Sequence, residues 1–156
     1  MTEPGPATAQ AEVTIDADPD TVYHLITDLS TLASMAEEAE AMDWRKGDVV
    51  RPGAVFKGHN RNGIFRWSTT CTVTEAEPGS VFAFDVRYLG LPVAHWRYEL
   101  AAKDGGCRVT EGTWDRRPGW FSKTAWVGTG VRDRTAANAE HIRLTLQRLK
   151  ERAEAI

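Results

Sequence analysis

The sequence predicts an α+β domain in which a curved antiparallel sheet of six to seven strands wraps around a long C-terminal helix. Between residues 39 and 114 apolar and polar side chains alternate, and turn residues separate the runs. After Arg132 the period changes to that of a helix without Gly or Pro. One apolar stripe follows this helix: Ala139, Ile142, Leu146, Leu149 and Ala153. A sheet with one apolar face and a helix with one apolar stripe bury each other economically.

The first forty residues predict a strand followed by two short helices. Residues 11–17 alternate as in a half-buried strand. Asp18, Pro19 and Asp20 are a helix start, with Asp18 as the N-cap, Pro19 at the first helical position and an acid in the first turn. The second helix is expected over about residues 31–36. We expect residues 1–10 to be a disordered tail and residues 11–156 to form one domain.

Six further strands are predicted, at about residues 40–45, 54–60, 64–76, 81–89, 94–102 and 107–114. The strongest hairpin signal is Asn62-Gly63, for which we expect a type I′ turn with positive φ at both positions. Strands joined by such short loops are antiparallel.

Composition limits the possible partners. The net charge of −3, with acids and bases interspersed, argues against non-specific nucleic-acid binding. Stable membrane insertion is not expected, because no apolar run approaches the roughly 20 residues of a membrane span. The first ten residues lack the basic end and apolar centre of a signal peptide, so we expect a cytoplasmic protein. Cys71 and Cys107 are expected to be reduced and buried. The four histidines lack metal-binding spacing, so no metal site is predicted. No other cofactor is predicted either.

Alternation places aromatic side chains and several polar ones on the same inner face of the sheet. Small residues at the start of the helix stripe would leave space opposite them, and an apolar pocket with a few polar groups is the usual small-molecule site. The predicted ligand-binding residues are Phe56, Asn60, Phe65, Trp67, Phe84, Trp96, Tyr98, Glu111, Trp126, Ala139 and Ile142.

Several stretches resemble a known superfamily: Ala17–Asp28, Gly53–Trp67, Val73–Phe84, His95–Leu100 with Cys107–Thr110, and Thr145–Ala153. Together they resemble the helix-grip (START-like, Bet v 1-like, SRPBCC) superfamily, in particular its bacterial polyketide cyclase/dehydratase-like branch. The resemblance covers nearly the whole chain from Ala11. It implies a hydrophobic cavity between the sheet and the long helix, and it implies no catalytic set.

Glu111 is the sharpest candidate for chemistry. If it points inward, desolvation would raise its pKa, and it would serve as a general acid or base, with Tyr98 as a second catalytic candidate. Alternatively, a β-bulge turns Glu111 outward, or Arg66 or Arg97 pairs with it. Asn60 and Arg61 would contact polar groups of a ligand, or would only serve the end of a hairpin.

The segment Trp114–Val131 contains four large aromatic residues between the last strand and the helix: Trp114, Trp120, Phe121 and Trp126. They would cap the cavity as a lid, contact a membrane surface, or pack the helix onto the sheet edge.

These features favour binding of a hydrophobic or aromatic small molecule, of polyketide, lipid or isoprenoid type. The first alternative is a polyketide cyclase/dehydratase-type enzyme that uses the carboxylate in the cavity. The second is a stress-response or co-chaperone module that binds protein. The identity of the ligand and the oligomeric state stay open.

Overall fold

A computed structural model describes residues 5–124, 130 and 133–156 of the chain. The strands are β1 (Ala9–Ile15), β2 (Ala39–Lys46), β3 (Val55–Asn62), β4 (Phe65–Glu77), β5 (Val81–Tyr88), β6 (Leu91–Lys103) and β7 (Gly106–Asp115). The helices are α1 (Pro19–Thr27), α2 (Leu29–Met35), α3 (Gly119–Thr124) and α4 (Arg134–Glu154). The strands form one antiparallel sheet in the order β1-β7-β6-β5-β4-β3-β2. The α+β prediction, with a curved sheet, two early helices and a long last helix, is confirmed.

The first strand begins at Ala9, two residues before the expected start, because Thr8 and the following residues pair with the end of β7. The helix start at Asp18 is as predicted: its side chain accepts a hydrogen bond from the backbone N–H of Thr21, and Pro19 is the first helical residue. This cap satisfies one of the N–H groups that a helix start leaves open.

The hairpin between β3 and β4 differs from the prediction. Asn62 pairs with Phe65, so the two-residue turn is Gly63-Ile64, and of these only Gly63 has positive φ (61°). Glycine at the first turn position is typical of type II′, and the expected type I′ turn at Asn62-Gly63 is wrong. Positive φ at both turn positions occurs at Leu89-Gly90, between β5 and β6, and again between β6 and β7.

Helix α4 packs against the sheet with most of the predicted stripe. Ile142, Leu146, Leu149 and Ala153 are buried, and Asp133 caps the first turn by accepting from the N–H of Ala136. Ala139 is exposed instead. In the first half of α4 the face towards the sheet carries Asn138, His141 and Thr145. These residues lie on one side of Ile142 around the helix, and Ala139 lies on the other side. The side of α4 that faces the sheet is therefore rotated away from Ala139 and towards Asn138 in this first half of the helix.

The solid core occupies the half of the sheet away from the β3–β4 and β5–β6 turns. Its fully buried members include Ile15, Phe82, Val109 and Leu149. Both cysteines are free and buried, as predicted, and burial raises the pKa of Cys71 to about 12. No helix in the described part of the chain combines the length and the apolar character that crossing a membrane requires.

Candidate functional site

The other half of the domain contains a cavity of about 580 Å³ between the concave face of the sheet and the first half of α4. Strands β2 to β7 supply its wall with side chains that alternate between the two faces of the sheet. The cavity extends to the end of the sheet where β6 begins and β7 ends, and there it reaches the exposed Trp120 of α3; we call this end its mouth. Its size and mostly apolar lining are those of a small-molecule site.

The structure places eight of the predicted ligand-binding residues on the cavity wall: Phe56, Asn60, Trp67, Phe84, Trp96, Tyr98, Glu111 and Ile142. Two others are placed elsewhere. The Phe65 ring packs against Gly130 so closely that a Cβ atom added to Gly130 would lie 2.8 Å from the ring. Ala139 faces outward. Trp126 lies outside the described residues. Seven of the eight lie in strands, where alternation predicted that they point inward. Arg66, which alternation placed on the other face, also lines the cavity.

Glu111 points into the cavity and is only 2% exposed. The alternative of a bulge does not hold, because β7 keeps an unbroken register with both β1 and β6. The alternative of an arginine partner does not hold either: Arg97 bonds Glu75 and Glu99 on the outer face, and Arg66 is exposed. Desolvation raises the pKa of Glu111 to about 8, although the hydrogen bond from Tyr98 acts in the opposite direction.

Tyr98 lies directly opposite Glu111 in the β6–β7 register. Its ring stacks on that of Phe82, with centroids 6.1 Å apart. Burial, and then the neighbouring Glu111, raise the pKa of Tyr98 well above its ordinary value, so its hydroxyl stays protonated and donates to the carboxyl group. The Oε1 atom of Glu111 has no hydrogen-bond partner in the described structure. The pair can therefore hold or move a proton at the cavity surface.

A second polar group on the wall centres on Glu38, just before β2. Its Oε1 accepts a hydrogen bond of 2.5 Å from Nη1 of Arg134 and lies 3.7 Å from Nδ1 of His141. The Arg134 guanidinium also lies over the Trp67 ring, 5.9 Å from its centroid. Sequence reasoning missed this cluster, because Glu38 and Arg134 are 96 residues apart and no local pattern joins them.

The aromatic residues after β7 have different positions. Phe121 packs edge-on against Tyr88 at 6.1 Å, and Trp120 beside it is 63% exposed; both line the cavity at its mouth. Trp114 instead covers the buried His95 on the outer face of the sheet, with centroids 5.5 Å apart, and donates from Nε1 to the carbonyl of Gly5. The positions of Trp120 and Phe121 are compatible with a lid over the cavity, whereas Trp114 packs on the outer face of the sheet.

Asn60 and Arg61, near the end of β3, also have different positions. Asn60 lies on the cavity wall. Arg61 donates from Nε to the carbonyl of Gly63 and pairs at 3.5 Å with Glu40, so it serves the end of the hairpin.

Residues 6–154 match the family described as polyketide cyclase / dehydrase and lipid transport. The chain belongs to this family. The resemblance to the polyketide cyclase branch of the helix-grip superfamily is thereby confirmed, and membership of the family supports a hydrophobic ligand-binding fold. No significant match was found among curated protein sequences.

Solved structures similar to this member of the polyketide cyclase / dehydrase family share its fold at low identity. One is the di-domain ARO/CYC StfQ of the steffimycin biosynthetic pathway (12% identity, TM-score 0.74, covering 94% of this chain and 50% of that one). Another is Ara h 8.0201 (12%, TM-score 0.70, 94% and 97%). A third is the polyketide cyclase-like Cgl2372 of Corynebacterium glutamicum (23%, TM-score 0.65, 98% and 94%). At these identities the likeness shows the fold alone.

Proposed function

We propose that this chain binds a hydrophobic or aromatic small molecule, of polyketide, lipid or isoprenoid type, in the cavity between the sheet and α4. The observation that carries the proposal is the cavity itself: about 580 Å³, with a mainly apolar wall. Burial of apolar ligand surface there contributes roughly 25 cal/mol per Å² before the cost of association is subtracted. The family description, which names both polyketide chemistry and lipid transport, supports the same class of ligand.

The second candidate function is an enzyme of the cyclase or dehydratase type. Glu111 and Tyr98 favour it, because a buried carboxyl group beside a protonated phenol can exchange protons near neutral pH with a ligand in the cavity. The apolar wall would hold a flexible substrate in a reactive conformation. A co-chaperone role needs no cavity, and the described residues add no support for it.

The first experiment combines native mass spectrometry of gently purified protein with titration of N-phenyl-1-naphthylamine, a neutral fluorophore that brightens in apolar surroundings. We expect saturable binding with one site per chain. Ala94→Phe, on the cavity wall, should abolish binding by filling the space. Ala101→Phe, on the outer face of the same strand, is the matched control and should bind normally. Equal binding by both variants would contradict the proposal.

The two candidate functions separate at Glu111. A carrier with Glu111→Gln should retain most of its affinity for a ligand identified by native mass spectrometry. An acid–base enzyme with the same change should still bind that compound but convert it at least a hundredfold more slowly, as loss of a general acid or base typically costs.

A further inference from the structure

Among the residues that the structure describes, two buried side-chain oxygens have no hydrogen-bond partner: Oε2 of Glu38 and Oε1 of Glu111. Both belong to carboxyl groups, and both carboxyl groups lie on the wall of the same cavity. Buried polar atoms without partners are rare in folded proteins, since each one loses its hydration without compensation. Their coincidence in one cavity indicates polar groups of a ligand rather than two unrelated defects.

A ligand group that contacts Oε2 of Glu38 must be a hydrogen-bond donor. The carboxylate is held by Arg134, whose guanidinium is always charged, and an ionised carboxylate can only accept hydrogen bonds. The ligand group that meets Oε2 is therefore a hydroxyl or an N–H. Arg134 is the first residue of α4, which places this contact in the half of the cavity near its mouth.

A ligand group that contacts Oε1 of Glu111 must be a hydrogen-bond acceptor. Its surroundings favour the neutral acid, which carries one O–H donor, and Tyr98 already donates to the same carboxyl group. The O–H of Glu111 is thus available to a ligand carbonyl. Asp115, the last residue of β7, lies at the mouth, and Glu111 lies four residues before it. At the rise per residue of a β-strand, Glu111 is about 13 Å deeper in the cavity than Asp115.

We propose that the ligand is an apolar molecule with two polar groups: a carbonyl that accepts from Glu111 in the inner part of the cavity, and a hydroxyl that donates to Glu38 near the mouth. This inference rests on the proposed function, because it assumes that the cavity binds a small molecule. It narrows the ligand class from hydrophobic compounds in general to hydroxy-substituted ketones or quinones.

The test uses four naphthalenes with the same ring body: 6-acetyl-2-naphthol, 2-acetylnaphthalene, 2-naphthol and 2-ethylnaphthalene. They carry both groups, the carbonyl only, the hydroxyl only, and neither. Dissociation constants are measured by calorimetry or by quenching of tryptophan fluorescence. We expect each polar group to tighten binding about tenfold, as a hydrogen bond to a buried partner does, so that the bifunctional compound binds best.

Variants then assign each preference to one carboxyl group. Glu111→Met should remove the advantage of the carbonyl and keep that of the hydroxyl. The double variant Glu38→Met with Arg134→Met removes both partners of the ion pair together. It should remove the advantage of the hydroxyl and keep that of the carbonyl. Glu12→Met, at an exposed position on β1, is the control and should leave all four affinities unchanged.

The comparison of the four compounds with the unaltered protein needs no variant, so a folding defect cannot obscure it. If all four bind equally, cavity binding stands and this inference is overturned, because water then satisfies both carboxyl groups. If none binds, the proposed function is contradicted together with the inference.

Discussion

Replacing Glu111 by Gln should change how the stability of the protein depends on pH. In the folded chain the pKa of Glu111 is raised to about 8 from a reference of 4.5, with burial as the largest cause. The folded state therefore holds this proton over a range in which the unfolded state has lost it. Each pKa unit corresponds to about 1.4 kcal/mol, so this group removes about 5 kcal/mol from the free energy of unfolding by the time the pH exceeds 8.

The direction of the effect follows from which state binds the proton. Below pH 4.5 the carboxyl group is protonated in both states and carries no penalty. As the pH rises towards 8 only the unfolded state ionises, and stability falls by about 1.4 kcal/mol per pH unit. Glutamine does not titrate in either state. Relative to the unaltered protein, Glu111→Gln should therefore become progressively more stable with rising pH.

Urea unfolding at pH 5.5, 6.5, 7.5 and 8 measures this difference. We expect the gap in the free energy of unfolding between Glu111→Gln and the unaltered protein to widen by about 3 kcal/mol between pH 5.5 and pH 8. The control is Glu12→Gln, an exposed position on the edge strand β1, for which the gap should stay constant. Parallel pH profiles for Glu111→Gln and the unaltered protein would refute the reasoning.

Three further changes probe the core, one turn and Trp120 at the mouth of the cavity. Leu149→Ala removes a fully buried side chain where α4 meets the sheet and should lower the free energy of unfolding by about 2–5 kcal/mol in urea; a loss below 1 kcal/mol would mean that the core is not packed there as described. Leu89 is 85% exposed and has a positive φ of 49°, which Asn tolerates better than Leu or Val. Leu89→Asn should therefore raise the free energy of unfolding by about 1 kcal/mol and raise the thermal midpoint, whereas Leu89→Val should lower both. The opposite order would contradict the turn geometry. Trp120→Ala should speed release of bound N-phenyl-1-naphthylamine in stopped flow and leave urea stability within about 0.5 kcal/mol, and an unchanged release rate would argue against a lid.

Much of the fold could be predicted because its information is local. The alternation of apolar and polar residues fixes which face of each strand is buried, and the same parity places Glu111 inside the cavity. The start of α1 was predictable for the same reason, since Asp18 and Pro19 act within one turn of the helix.

What could not be predicted depends on contacts between distant parts of the chain. Glu38 meets Arg134 only because β2 and the start of α4 border the same cavity, and nothing near either residue indicates this. Ala139 belongs to an apolar stripe by spacing alone, but the curvature of the sheet determines which edge of that stripe is covered. The hairpin at Gly63 differs by one residue because pairing of Asn62 with Phe65 sets the turn.

The position of β1 at the edge of the sheet has a consequence for synthesis. Ala9 pairs with Thr113, so β1 waits for a partner that is translated about a hundred residues later. At typical elongation rates this interval is about 5–20 s, during which the emerging β1 has an unpaired backbone. The cavity also needs α4, so it does not exist before α4 has left the ribosome. A ligand can therefore be acquired only after translation has passed α4.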